Sequence, residues 1–326
     1  PRLPKILNSP RPVVIGFGPA GMFAALILAK AGLEPIIFER GGDIDSRTKS
    51  VEKFFHGGEL DENSNIQFGE GGAGTFSDGK LTTRIDDPLT REGLDTFMAA
   101  GAPSEIAYLQ KPHIGTDKLR AVVKNIRQKI VALGGEIFFN ARLTDLEISN
   151  DRVTAAIVNN EQRFESDAIF LAIGHSARDT YRMLLERGVM MEPKAFAIGV
   201  RIEPPQEFID RAQFGVDFDN PKLPRADYFL TYKDAVNNRG AYTFCMCPGG
   251  RVIAAATEDG VVTNGMSCYA RDSGIANSAL LATVGVNDFA GRDALSGVRF
   301  QREWERRAFE LSGRNWRAPV QTVGDF

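Results

Sequence analysis

Three observations predict an α/β fold: a parallel sheet of the dinucleotide-binding type, with a mainly β domain inserted into it. The first is the run Val13-Val14-Ile15-Gly16-Phe17-Gly18-Pro19-Ala20-Gly21, followed by an apolar helix start at Met22-Phe23-Ala24-Ala25. The second is another apolar run, Pro35-Ile36-Ile37-Phe38, which ends in Glu39. The third is a series of short alternating runs over 143–166 that leads into the apolar stretch Ala168 to Ile173, closed by Gly174. Strand, glycine turn, helix, strand and acid fall in the order of a Rossmann-type βαβ unit. The expected architecture is three-layered, a parallel sheet plus an antiparallel meander.

Each element has a physical reason. A Pro-containing lead-in occupies residues 1–11. Val13, Val14 and Ile15 form an unbroken apolar run, as a central parallel strand covered on both faces requires. Gly16 permits the tight turn, Gly18 lets a pyrophosphate approach the backbone, and Gly21 lets the helix pack closely on the strand. Pro19 and Ala20 open that helix, whose free N–H groups point at phosphate. Glu39 follows about 20 residues on, where a carboxylate accepts hydrogen bonds from ribose hydroxyls. Arg47 is placed to neutralise a pyrophosphate, or else is a solvated arginine after the strand. Residues 40–80 read as a long polar, glycine-rich loop, functional or disordered.

Farther on, Leu119, Val122, Val123, Ile126, Ile130 and Val131 recur at helical spacing, so 116–133 is an amphipathic helix with Thr116 as N-cap. Gly134-Gly135 ends it, and Glu136 to Phe139 follows as a strand. Asn150-Asp151 and Asn159-Asn160 are turns of the meander. A meander feeding a parallel strand is the arrangement of FAD domains of the glutathione-reductase type. Composition shifts near Pro193, after which short strand-like runs alternate with turn signals such as Pro248-Gly249-Gly250. The expected domains are an FAD-binding domain over 1–194, an inserted substrate domain over 195–297, and a return helix within 298–326 leading back to the FAD domain.

Composition narrows the class. The chain has 326 residues, of which 43% are hydrophobic and 25% charged, with a net charge of −3. That is an ordinary globular balance, and it argues against nucleic acid and anionic membrane partners. The apolar stretch from Met22 to Ala29 stops at Lys30, too short for a membrane span. Three cysteines, Cys245, Cys247 and Cys268, make no disulfide framework, and a reducing, cytoplasmic setting is expected.

Longer motifs carry a resemblance. They are Gly16–Gly21, Phe38-Glu39-Arg40, the loop Gly69 to Leu81, Lys111 to Asp117, Gly174 to Asp179, Phe244 to Gly250, and Thr263 to Ser267. Through them the chain resembles the FAD-dependent oxidoreductases labelled NAD(FAD)-utilizing dehydrogenases. The resemblance implies FAD bound along residues 13–47, with contacts from Arg40, Leu143 and Gly174. It places the 69–81 loop, with Gly72 and Gly74, beside the isoalloxazine ring. Two departures stand out. Pro204-Pro205 follows Glu203 where a His before a single Pro is expected, and a C-terminal glycine-rich segment that closes over the flavin is absent. The chain is thus expected to be truncated and to hold FAD loosely.

Few residues offer catalysis. The histidines are His56, His113 and His175. His113 and His175, with Lys80 in the glycine-rich loop, are the candidate catalytic groups. Cys245 and Cys247 share one side of a strand, which suits packing as well as redox chemistry. The cysteine and histidine spacing supports no metal site. The reaction expected is a flavin hydride transfer on a small-molecule substrate, a dehydrogenase in class. The rivals are a nicotinamide-only dehydrogenase and a flavin-binding sensor without turnover.

Overall fold

The computed structural model describes residues 10–83, 85 and 87–325; the first nine residues of the lead-in lie outside that set. The chain divides into two units. One comprises Pro1–Phe76, Leu81–Pro112 and Lys118–Met190, the other Ser77–Lys80, His113–Asp117 and Met191–Phe326.

The first unit is built on the strands β1 (Val13–Ile15), β2 (Ile36–Phe38), β3 (Glu136–Phe138) and β7 (Ile169–Leu171). They form one parallel sheet in the order β3-β2-β1-β7. Val13, Val14 and Ile37 are fully buried, as the apolar runs predict for the two central strands. Phe38 packs between Phe138, whose ring is 5.5 Å away and stacked, and Phe164 at 4.5 Å. The meander is β4 (Leu143–Ser149), β5 (Arg152–Val158) and β6 (Gln162–Glu165), antiparallel throughout. Asn150, Asp151, Asn159 and Asn160 take positive φ in its turns, a conformation that Asn and Asp tolerate better than other side chains.

Helices fill the remainder of this unit: α1 (Pro19–Lys30), α2 (Ile44–Phe55), α3 (Pro88–Ala99), α4 (Thr116–Ala132, whose first two residues belong to the second unit) and α5 (Arg178–Glu186). Helix α2 corrects the reading of 40–80 as one loop. Its start is capped by Asp43, whose carboxylate accepts from Ser46 N at 2.8 Å. Its buried face holds Ile44, Val51 and the arginine Arg47. A helix that buries an arginine in place of a third aliphatic residue shows no apolar period, so the pattern hid it.

The second unit carries an antiparallel sheet in the order β8-β13-β10-β9. Its strands are β8 (Phe196–Ile202), β9 (Thr231–Asp234), β10 (Arg239–Cys247) and β13 (Asn277–Val284). A two-stranded ribbon pairs β11 (Arg251–Ala254) with β12 (Thr263–Met266). Helix α6 (Gln206–Phe214) buries Ile209 in a cluster with Ala226, Met246 and Ala276. Helix α7 (Ser296–Leu311) packs within this unit through Phe300, 6.1 Å from Phe196 and 5.6 Å from Phe289. The mainly β character expected for this half is therefore observed.

Candidate functional site

In the first unit the glycine fingerprint closes as its spacing requires. A Cβ on Gly16 would collide with the Ala172 carbonyl, and one on Gly21 with the Gly16 carbonyl. Gly18 differs, because a Cβ there would meet only Gly72 Cα at 3.6 Å, an ordinary contact. Gly18 itself is half-buried, with Gly72 beside it. Pro19 and Ala20 are exposed, and the helix start has no side-chain cap. The first-turn N–H groups therefore remain available to an anion. Gly174 has φ +71 with nothing within 4 Å of its Cβ position, and Gly74 is nearly as open. A cradle of bare backbone fits a dinucleotide.

Glu39 sits beneath this cradle, 4% exposed. One carboxylate oxygen accepts from Phe17 N at 2.7 Å; the other accepts from Gly41 N and Gly69 N, both at 2.9 Å. The same side chain ties the fingerprint turn to the 69–72 loop. Gly71 N reinforces that join by donating to the Phe17 carbonyl at 2.8 Å. Main-chain bonds from Asn140 N to Gly41 O and from Ala141 N to Glu39 O, each 2.9 Å, bring the start of the meander alongside. Leu143 itself is 5% exposed, a core residue of β4.

Arg47, expected beside a pyrophosphate, instead spends its guanidinium on protein. It is fully buried. It donates to the carbonyls of Asn65 at 2.9 Å, Ile66 at 3.0 Å, Gly69 at 3.2 Å and Glu70 at 2.6 Å. Burial lowers its pKa to about 10, against the pull of Glu39 and Glu70, so it stays charged at neutral pH. Its work is to fold the glycine-rich loop. Arg40 pairs with Asp179 and lies over the Phe68 ring, 4.3 Å from its centroid. His175 is exposed, with Nδ1 2.6 Å from the Ser176 hydroxyl, which in turn meets Gln67.

The second unit holds a separate polar cluster. Asp78 is 1% exposed and anchors it. Lys80 Nζ lies 2.9 Å from one oxygen, Arg271 Nη2 is 2.6 Å from that same oxygen, and Ser267 donates to the other. Burial raises the Asp78 carboxyl, but Lys80, Arg271 and Ser267 outweigh it and hold the pKa at about 2. Lys80 also reaches Cys247 Sγ at 3.3 Å. Burial lowers the Lys80 pKa, yet Cys247 and Asp78 more than compensate, and it stays a cation. His113 bridges antiparallel to Lys80, stacks on Tyr269 with ring centroids 5.4 Å apart, and faces the Tyr269 carbonyl at 3.1 Å. Burial and the Arg271 charge lower its pKa, so the ring is neutral at pH 7.

Of the three candidate catalytic groups, the structure brings Lys80 and His113 together around Asp78 and leaves His175 in the other unit. Sequence reasoning passed over Arg201, Ser267, Arg271 and Asn277. They lie on separate strands and turns, and no local pattern links them. Among the described residues, no group of three or more His, Cys, Asp or Glu could hold a metal ion, and no helix is long and apolar enough to cross a membrane.

A mixed α/β protein with a parallel dinucleotide-type sheet is the class that this geometry defines. Residues 195–326 match the family described as FAD-dependent protein, C-terminal domain-like. A protein of Clostridium beijerinckii (strain ATCC 51743 / NCIMB 8052) is 56% identical over 317 residues, which is 97% of this chain. The chain spans 59% of that relative's length. Among solved structures, Thermovibrio ammonificans THI4 aligns over 56% of this chain and 64% of its own, with 19% identity and a TM-score of 0.38. CtdE, solved in complex with FAD, aligns over 96% and 70%, with 15% identity and a TM-score of 0.35. The family match supports FAD as the cofactor.

Proposed function

We propose that the chain is the FAD-binding and substrate-facing part of a dehydrogenase of the glutathione-reductase type, acting on a small-molecule substrate. The observation that carries this reading is the cradle at Gly16, Gly18 and Gly21, which has an exposed, uncapped helix start at Pro19 and Ala20 and is tied by Glu39 to the 69–72 loop. The helix start at Pro19 and Ala20 would take the pyrophosphate, and Glu39 would use its remaining acceptor capacity on the ribose. Gly72, Gly74 and Gly174 would let the cofactor pass close to the backbone. Bound FAD supplies the hydride-carrying ring, which no side chain can. The chain's own contribution is position and charge. Lys80, paired with Asp78, presents a fixed cation that suits an anionic substrate or reduced product. Neutral His113 at pH 7 suits proton transfer.

The test is a flavin fluorescence titration of the wild type, Gly21→Ala and Gly74→Ala. Saturable FAD binding that Gly21→Ala abolishes supports the reading. A protein that binds NADH but not FAD would overturn it in favour of a nicotinamide enzyme. FAD binding with no acceptor-dependent reoxidation across a substrate panel would favour a sensor.

A further inference from the structure

We infer that Cys245 and Cys247 form a redox-active thiol pair that takes a small organic disulfide as oxidant and closes to an intrachain disulfide. The inference rests on the second unit alone and does not depend on the flavin reading.

Two cysteines two apart in a regular strand share a face, but the strand holds their Cβ atoms roughly 7 Å apart, beyond disulfide reach. Strand β10 is not regular there. Its pairing with β13 slips between Phe244 and Cys247, and Cys245 takes φ 48, a left-handed conformation unusual for any residue but glycine. The bulge folds Cys247 back on Cys245, so that the Cys247 thiol donates to the Cys245 carbonyl at 3.4 Å. Strained backbone of this kind is retained where surrounding structure enforces it, and it clusters at working sites.

The surroundings are those of an activated thiol. Lys80 Nζ is 3.3 Å and Arg201 Nη2 4.0 Å from Cys247 Sγ. Arg201 is oriented by the Cys245 carbonyl at 2.9 Å and by Asn277 Oδ1 at 2.8 Å. Asn277 is fully buried, yet its Nδ2 has no hydrogen-bond partner among the described residues. A donor so placed costs stability unless something accepts from it. Gly265 on β12 makes the convergence possible, since a Cβ there would lie 2.6 Å from Asn277 Oδ1 and 2.8 Å from Cys247 Sγ and would also strike Arg201. Loop, β8, β10, β12 and β13 thus all contribute to one spot.

The charged groups facing the sulfurs are Lys80 and Asp78 from the loop and Arg201 from β8. Their balance is positive, because Arg271 shares Asp78. The adjacent Cys247 side chain, with help from Lys80 and Arg201, lowers the Cys245 pKa to about 5; the same partnership, with burial, raises that of Cys247. Cys245 is half-buried and Cys247 fully buried, which sets the order of events. The Cys245 thiolate attacks one sulfur of the disulfide RSSR, its S–S bond breaks, and RS⁻ leaves. The leaving thiolate takes the Cys247 proton. Cys247 sulfur then attacks Cys245 sulfur and expels the second RS⁻, which is protonated from water. Two protein thiols lose two electrons, and one RSSR becomes two RSH.

The experiment uses the full chain carrying Cys268→Ser, which removes the exposed third thiol. Glutathione disulfide is added at pH 7 and intact mass is followed without reductant. The expected product has lost two hydrogens, and dithiothreitol restores them. Adding Cys247→Ser is expected to trap one glutathione on Cys245. Lys80→Met is expected to slow the reaction about tenfold at pH 7, as a one-unit rise in thiol pKa would, with recovery at pH 9. Lys80→Arg, which keeps the charge, is expected to retain at least half the rate. A folded protein whose mass is unchanged, or a trapped adduct whose rate is indifferent to Lys80→Met, would overturn the assignment and leave the cysteines as packing residues.

Discussion

Asp78 and Glu39 are both buried carboxylates, and they do different work. Glu39 is satisfied by three backbone N–H groups. Replacing it by alanine frees those donors inside a buried turn and removes the proposed ribose contact. The expected loss is roughly thirtyfold in FAD affinity, about 2 kcal/mol, read by fluorescence titration; an unchanged affinity would remove Glu39 from the site. Asp78 is held by charge. Its pKa in the folded protein, about 2, lies below the ordinary 3.8. The unfolded chain therefore takes up the proton first as pH falls. This contribution, on the order of 2 kcal/mol, is fully present above about pH 4 and is lost as pH drops toward 2. Asp78→Asn should remove it at every pH and set Lys80 against Arg271, so urea midpoints of wild type and variant should converge as pH falls from 5 to 3. Parallel midpoints would show that the carboxylate adds nothing.

At the scale of elements, the glycine-rich segment 63–76 is an ordered loop wrapped around one guanidinium. Arg47 reaches it from α2 and ends on four carbonyls. Arg47→Met keeps much of the volume and orphans those carbonyls, an expected cost of about 3–5 kcal/mol in unfolding free energy. Arg47→Lys should recover little, because one ammonium cannot span four acceptors arranged for a planar fork. Chemical denaturation of both variants checks this, and a near-neutral methionine would refute it. The glycines divide the same way. Gly74→Ala has space, its nearest neighbour being Pro19 Cγ at 3.9 Å, and it takes no positive φ. It should leave stability within about 0.5 kcal/mol while weakening FAD if the cofactor passes there. Gly21→Ala should damage both.

At the scale of the whole molecule, the sequence carries one dinucleotide fingerprint, in the first unit. FAD that binds only the folded cradle stabilises it by mass action, about 2.7 kcal/mol at a hundredfold excess over Kd. Calorimetry should show a transition that moves up with FAD, and NADH at the same concentration should move it little. Reduction of bound flavin by free NADH or NADPH should be slow in stopped flow. Fast, saturable reduction would reveal a nicotinamide site that the fingerprint count missed.

The dinucleotide core was legible in the sequence because its signals are local. Gly21 answers to a collision with the nearby Gly16 carbonyl, the glycine spacing itself is read along the chain, and Val13 to Ile15 answer to burial in a central strand. The Asn turns of the meander and the helix of 116–132 follow for the same reason. Helix α2 did not, since its inward face depends on Arg47 finding carbonyls about 20 residues away, which no periodicity registers. The same holds for the cluster at Asp78. Lys80, Arg201, Ser267, Arg271 and Asn277 come from distant positions, and only the tertiary structure, by joining Ser77–Lys80 and His113–Asp117 to the β-rich unit, makes them neighbours. Local sterics can be read along a chain; the pairing of buried charges is decided by which distant segments the fold brings within a few ångströms, where low dielectric makes each partner matter.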